Sequence, residues 1–110
     1  MSEVHLRQGL DSDGQRIRHL LESSGFPKIK MKWEKIQPSW VVAEIDSKLV
    51  AAVMIGFGVP IGRIEMMCFD ASISKTDRAK CATLLFEAAK GALAGMGVET
   101  AMALISDYNK

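Results

Sequence analysis

Few side chains in this 110-residue chain are placed to do chemistry on their own. His5 and His19 lie far apart and lack ligand companions, so no metal site is expected. Cys68 and Cys81 have no metal-ligand spacing and read as small buried hydrophobes rather than nucleophiles. No Ser-His-Asp grouping follows from position. Lys28, Lys30, Lys32 and Lys35 form a basic stripe beside Trp33. Such a stripe could meet nucleic acid or an anionic substrate, but a solvated charged face is the plainer reading, and nucleic acid is not expected as a partner. Ser74-Lys75-Thr76-Asp77 is a capping-box pattern at the head of a long apolar-periodic segment. A helix starting there would make Asp77 a first-turn residue, whose carboxylate would satisfy N–H groups that an anion would otherwise use.

These residues are carried by a chain of ordinary single-domain size, expected to fold as one domain over 1–110. Hydrophobic residues make up 48% and charged residues 25%, as in folded globular proteins. A net charge of +1 argues against a general polyanion binder. No apolar run approaches membrane-spanning length, and Met1–Arg7 lacks the pattern of a signal peptide. Two cysteines make no disulfide framework, so a reducing cytoplasm is the default setting and no membrane is expected.

The elements follow from periodicity. Residues 3–8 alternate as a short strand. Ser12, three before Gln15, predicts a helix start. Ile17, Leu20 and Leu21 mark its buried face, and Gly25 and Pro27 mark its end. Residues 28–36 fit a strand, a short helix or an irregular segment. Trp40–Ile45, the turn Asp46-Ser47-Lys48 and Leu49–Ile55 predict a hairpin whose second strand is buried on both faces. A glycine-rich connection leads to a strand from Arg63 to about Ala71. There, strict alternation puts Glu65 on one face with Arg63, Met67 and Phe69, opposite Ile64 and Met66. Residues 76–96 predict the longest helix, with Cys81, Leu85, Ala88 and Ala92 as its stripe, flanked by Leu84, Ala89, Leu93 and Met96. Thr100–Ile105 is a last strand. A helix between two final strands predicts a parallel pair, and the hairpins predict antiparallel pairing elsewhere. The fold class is α/β with a mixed central sheet and flanking helices.

In the order and spacing of these pieces, over roughly residues 3–109, the chain resembles the GNAT acyl-CoA N-acyltransferase family. The hairpin Trp40–Met54 looks like the family's second and third strands. Glu65 stands on the strand that follows, and a loop then leads into the long helix. The family's signature loop, an Arg or Gln three residues before one Gly and five before a second Gly or Ala, falls on Thr76–Cys81. Thr76, Ala79 and Cys81 replace its key residues. Cys81 would narrow a phosphate cradle and Asp77 would repel phosphate, while Arg78 and Lys80 would offset that repulsion.

The resemblance implies acetyl-CoA, or another acyl-CoA, as cofactor and a small-molecule or protein amine as acceptor. It implies Glu65 as the general base that takes the amine's proton. It places the cofactor along Phe69, Asp70 and Ala71 and over the backbone of Ala79, Lys80, Cys81 and Ala82. Arg78 would stand nearby, and Asn109 would help to hold the cofactor. The family's usual continuation, another helix and two strands that commonly carry a thiolate-protonating tyrosine, does not follow here. Tyr108 stands too early to match that tyrosine. An open sheet edge would then invite a homodimer. The reading from a different class is a non-catalytic module of this fold that dimerises or binds a protein partner.

Overall fold

The central hairpin shows most directly how local sequence sets the fold. In the computed structural model, which describes residues 3–26, 39–56, 61–95 and 100–103, Asp46 and Ser47 take φ of 52° and 63°. Two successive left-handed residues make a type I′ turn, whose twist matches that of paired strands. The turn joins β2 (Trp40–Ile45) to β3 (Lys48–Gly56). β1 (Val4–Gln8) pairs antiparallel with β2, and β4 (Ile61–Phe69) pairs antiparallel with β3. β5 (Thr100–Ala103) runs parallel to β4, and the sheet order is β1-β2-β3-β4-β5. For Ile61, Gly62 and Thr100–Ala103 only the backbone is described. α1 (Gly14–Ser23) lies between β1 and β2 in the chain, and α2 (Lys75–Gly95) connects β4 to β5. The α/β class, the antiparallel hairpins and the helix-bridged parallel pair are therefore as the periodicity predicts.

The helices cover opposite faces of the sheet. On one face Ala43, Ile45, Val50, Ala51, Val53, Ile55, Ile64, Met67 and Phe69 meet Cys81, Leu85, Ala89 and Leu93 of α2. On the other, Trp40, Val42, Leu49, Ala52 and Cys68 meet Ile17, Leu20 and Leu21 of α1. Burying each leucine-sized side chain contributes about 1.5–3 kcal/mol. β3 supplies both clusters, so its nearly unbroken apolar run is the central strand's signature. The α2 stripe differs from the expected one. Ala92 is exposed and Ala88 only half-buried, because the inward line runs Cys81, Leu85, Ala89, Leu93 in steps of four.

α1 stops as its sequence requires. Gly25 takes φ 88°, the Gly25 N–H donates to Glu22 O at 3.1 Å, and the Phe26 N–H donates to Leu21 O at 3.0 Å. This is a Schellman closure, which glycine permits at no steric cost. Its start differs from the Ser12 cap. A 3-10 turn over Asp11–Asp13 precedes it, and the Asp13 carboxylate accepts the Leu10 N–H at 2.7 Å. Arg7 donates to both Asp13 oxygens, at 2.7 and 2.9 Å, and reaches Glu44 at 3.2 Å. The Arg7 hydrogen bond is the main cause holding the Asp13 carboxyl below its ordinary range.

The strict alternation expected along β4 fails at one residue. Ala52 faces Cys68, but Met54 faces Glu65, so Val53 stands opposite both Met66 and Met67. β4 therefore carries one extra residue, and Met66 takes φ 54° to accommodate it. The bulge shifts the phase. Met67 and Phe69 join Ile64 on the α2 face, while Met66 and Cys68 lie on the α1 face. Glu65 thus shares its face with Arg63 and Met66, not with Met67 and Phe69. The expected glycine-rich connection 56–62 is shorter than its composition suggests, since Gly56 belongs to β3 and Ile61 and Gly62 to β4, which ends at Phe69 and not near Ala71. Its residues 57–60, the ambiguous segment 28–36 with its lysine stripe, Tyr108 and Asn109 lie outside the described residues.

Candidate functional site

The site follows from the way β4 ends and α2 begins. β4 pairs with β5 from Ile61↔Thr100 to Ile64↔Ala103, and the description of β5 ends there. At the other end of β4, one hydroxyl occupies the backbone of Phe69. Ser24 Oγ accepts the Phe69 N–H at 3.1 Å and lies 3.4 Å from Phe69 O. Glu65–Cys68, with the bulge, lie between these two points. A bulge breaks the ladder and re-aims side chains, which is why bulges recur beside active sites. Glu65 is the one carboxylate on this stretch. Its side chain is 19% exposed, and Arg63 Nη1 donates to its Oε1 at 3.4 Å. Met54 stands across from it on β3.

Asp70, the first residue past β4, gathers a network that sequence reasoning did not find. Its carboxylate accepts from Ser72 Oγ at 2.6 Å and from the Ser72 N–H at 2.8 Å. It also accepts from Arg16 of α1 and, at 3.3 Å, from Lys48 Nζ at the hairpin. Arg16 Nε donates in turn to Leu49 O at 3.1 Å, and the Asp70 N–H donates to Val50 O at 2.7 Å. The Ser72 hydroxyl is the largest cause holding the Asp70 carboxyl well below the usual range, with the Ser72 N–H, Arg16 and Lys48 acting in the same sense. The network fixes the loop into α2 against α1 and β3. The local signal available was Asp70-Ala71-Ser72, an Asx-turn sequence. Arg16, 54 residues away, carries no such signal.

Asp13 and Asp70 both titrate below their ordinary 3.8. The folded state therefore binds protons less readily than the unfolded chain. The stability these carboxylates add is complete above the ordinary value and is lost as pH falls through the folded values. The melting temperature should stay level from pH 7 to about 5 and fall steeply below about 4. Thermal denaturation followed by circular dichroism across that range checks this. A melting temperature that is unchanged at about pH 3 would contradict it.

α2 begins at Lys75, one residue before the expected start. Ser74 caps it. Its Oγ accepts the Asp77 N–H at 3.1 Å, and its carbonyl accepts the Arg78 N–H at 2.9 Å. A helix leaves four leading N–H groups without an intrahelical acceptor. The Arg78 bond is itself the first four-residue bond of the helix, so of the four leading N–H groups Ser74 engages only that of Asp77, and those of Lys75 and Thr76 have no acceptor among the described residues. Ala79, Lys80, Cys81 and Ala82 fall past the first turn, where helical N–H groups bond to carbonyls four residues back. The Cys81 side chain is 0% exposed and packs with Leu85 against the sheet, so it lines the core. Burial raises its thiol, and burial pushes the Cys68 thiol up to about 12. Neither is a nucleophile at neutral pH. Phe69 is buried, with the Arg78 guanidinium 5.8 Å from its ring centroid. Arg78 Nε is buried without a hydrogen-bond partner among the described residues. Ala71 is exposed in the turn after β4. The structure thus brings Phe69 and Arg78 together at the head of α2, leaves Ala71 in the turn between them along the chain, and places Glu65 farther back along β4.

Among the described residues no group of three or more possible metal ligands comes together, and no helix is long and apolar enough to cross a membrane.

No protein-family model matches the chain, and no curated protein sequence does. Solved structures do. An aminoglycoside N-acetyltransferase, AAC(6')-Iy, in complex with coenzyme A superposes with a TM-score of 0.75 at 16% identity, over 99% of this chain and 81% of its own. The N-acetylglutamate synthase of Neisseria gonorrhoeae, in complex with coenzyme A and N-acetyl-glutamate, gives 0.65 at 17% identity over 83% of this chain. This chain spans about a quarter of that synthase's length, 23%. Ard1 from Thermoplasma volcanium gives 0.70 at 12% identity, over 86% of this chain and 66% of its own. At these identities the likeness establishes architecture: the chain has the GNAT acetyltransferase fold.

Proposed function

We propose that the chain transfers an acyl group, by preference acetyl, from acyl-coenzyme A to an amine, with Glu65 as general base. The observation that carries this reading is the position of Glu65. It is a carboxylate beside a β-bulge, on the strand that pairs parallel with β5 and leads straight into α2. The superposition over 99% of the chain on a coenzyme A complex supports it. The remaining first-turn N–H groups of α2, with Arg78 beside them, suit the cofactor's phosphates. Lys80 would add positive charge, and Asn109 would hold the cofactor from beyond β5. Glu65 would take the proton that the amine sheds on attacking the thioester. Holding both reactants in one cleft would supply much of the acceleration. A homodimer in the cytoplasm is part of the same proposal.

One observation favours the alternative, a partner-binding module without catalysis. The Ser74 hydroxyl already occupies the Asp77 N–H, one of α2's leading donors, and Asp77 puts a carboxylate in the first turn. Calorimetric titration with acetyl-coenzyme A separates the two readings. The transferase predicts one saturable site with a dissociation constant near 1 µM, about −8 kcal/mol. An absence of heat at millimolar coenzyme would turn the reading to the module.

A further inference from the structure

The surroundings of Glu65 also bear on which amine it would serve, an inference that rests on the transferase reading. Arg63 and Glu65 lie on the same face of β4, joined by one contact of 3.4 Å. Across on β3, Met54 faces Glu65 and Gly56 faces Arg63. A side chain at Gly56 would crowd Arg63, since a Cβ there would lie 3.3 Å from the Arg63 Cβ. The patch therefore holds one cation and one carboxylate side by side, with Met54 and Met66 beside them.

Arg63 differs from the other arginines whose pairings anchor the fold. Arg7 grips both oxygens of Asp13 and reaches Glu44, and Arg16 holds Asp70 and the Leu49 carbonyl. Among the described residues Arg63 makes only the long contact with Glu65, and its side chain is 60% exposed. A guanidinium offers five N–H donors in a planar fork that matches a carboxylate two bonds at a time. Most of that fork is open to a second anion. An amine that also carries a carboxylate would meet complementary charge at both ends, its nitrogen toward Glu65 and its carboxylate toward Arg63. An acceptor bearing only positive charge would meet a like charge at Arg63.

We propose that the acceptor is an amine bearing a carboxylate, of the amino-acid class, and that Arg63 determines this specificity. In the reaction, the free amine attacks the thioester carbonyl and a C–N bond forms. The C–S bond breaks, the coenzyme leaves as thiolate, and the proton shed by nitrogen passes to Glu65.

The test measures coenzyme release with the common amino acids, their α-amides and a linear polyamine, using wild type, Arg63→Gln and Arg63→Lys. Wild type should prefer at least one acid over its amide by about tenfold or more in kcat/KM, the size of one charge-assisted pairing. Arg63→Gln should bring that ratio close to one, Arg63→Lys should keep part of it, and KM for acetyl-coenzyme A should not move. Equal use of acids and amides by wild type, or an acid preference that survives Arg63→Gln, overturns the proposal and leaves the transferase reading intact. Coenzyme binding with transfer to none of the acids overturns it too. No coenzyme binding and no transfer to any amine removes the transferase reading itself, and the acceptor class with it.

Discussion

Glu65→Gln should bind acetyl-coenzyme A as wild type does and transfer its acyl group about 100- to 10,000-fold more slowly, the usual contribution of a positioned base. Glutamine keeps the length and shape of the side chain, and its amide oxygen can still accept from Arg63 Nη1. It cannot take a proton at neutral pH. The substitution thus removes the chemistry and leaves the packing beside Met54 and Met66 in place. Steady-state coenzyme release with the best acceptor, alongside calorimetry with acetyl-coenzyme A, separates the two quantities. A variant that keeps its turnover within threefold of wild type would show that Glu65 is not the base.

The second large effect concerns stability. Asp70→Ala should cost roughly 3 kcal/mol, because it strips one carboxylate from Arg16, Lys48 and Ser72 at once and leaves Arg16 half-buried without its counter-charge. In a domain of this size that lowers the melting temperature by about 10–20 °C. Lys48→Ala should cost under about 0.5 kcal/mol, since Lys48 is 60% exposed and contributes a solvent-screened pair. Urea denaturation of the three proteins reads both effects as midpoint shifts at constant slope. Equal losses for the two variants would mean that the network is no more than a surface ion pair.

The fold was largely legible in the sequence, and the site only in part. Asp46-Ser47 between two apolar runs announced the hairpin, and β3's unbroken apolar composition announced its central place. Ser74 and Asp77 announced the start of α2 to within one residue. The β4 bulge left no such mark. Met66 takes its positive φ without the glycine or asparagine that would betray it, so strict alternation put Met67 and Phe69 on the face of Glu65. A fixed helical period likewise put Ala92 on the stripe, where α2 buries Leu93. Counting a signature onto Thr76–Cys81 brought Cys81 to the cradle, although its side chain faces the core. The Arg16–Asp70 tie was beyond reach, because a charge pair so distant in sequence leaves no pattern in either neighbourhood.

The Ser24 hydroxyl does for the end of β4 what a neighbouring strand would do. It accepts the Phe69 N–H and lies beside the Phe69 carbonyl, and it belongs to the C-cap of α1. The amide proton of Phe69 is therefore protected by a helix and not by the sheet in which it sits. Hydrogen–deuterium exchange at that single amide would follow the breathing of α1. Lifting the C-terminal turn of the helix would release the Phe69 proton to solvent while the β2–β3 ladder stays closed. Helix end and strand end would open as one unit, so a movement that begins in α1 arrives at the entrance to the loop before α2.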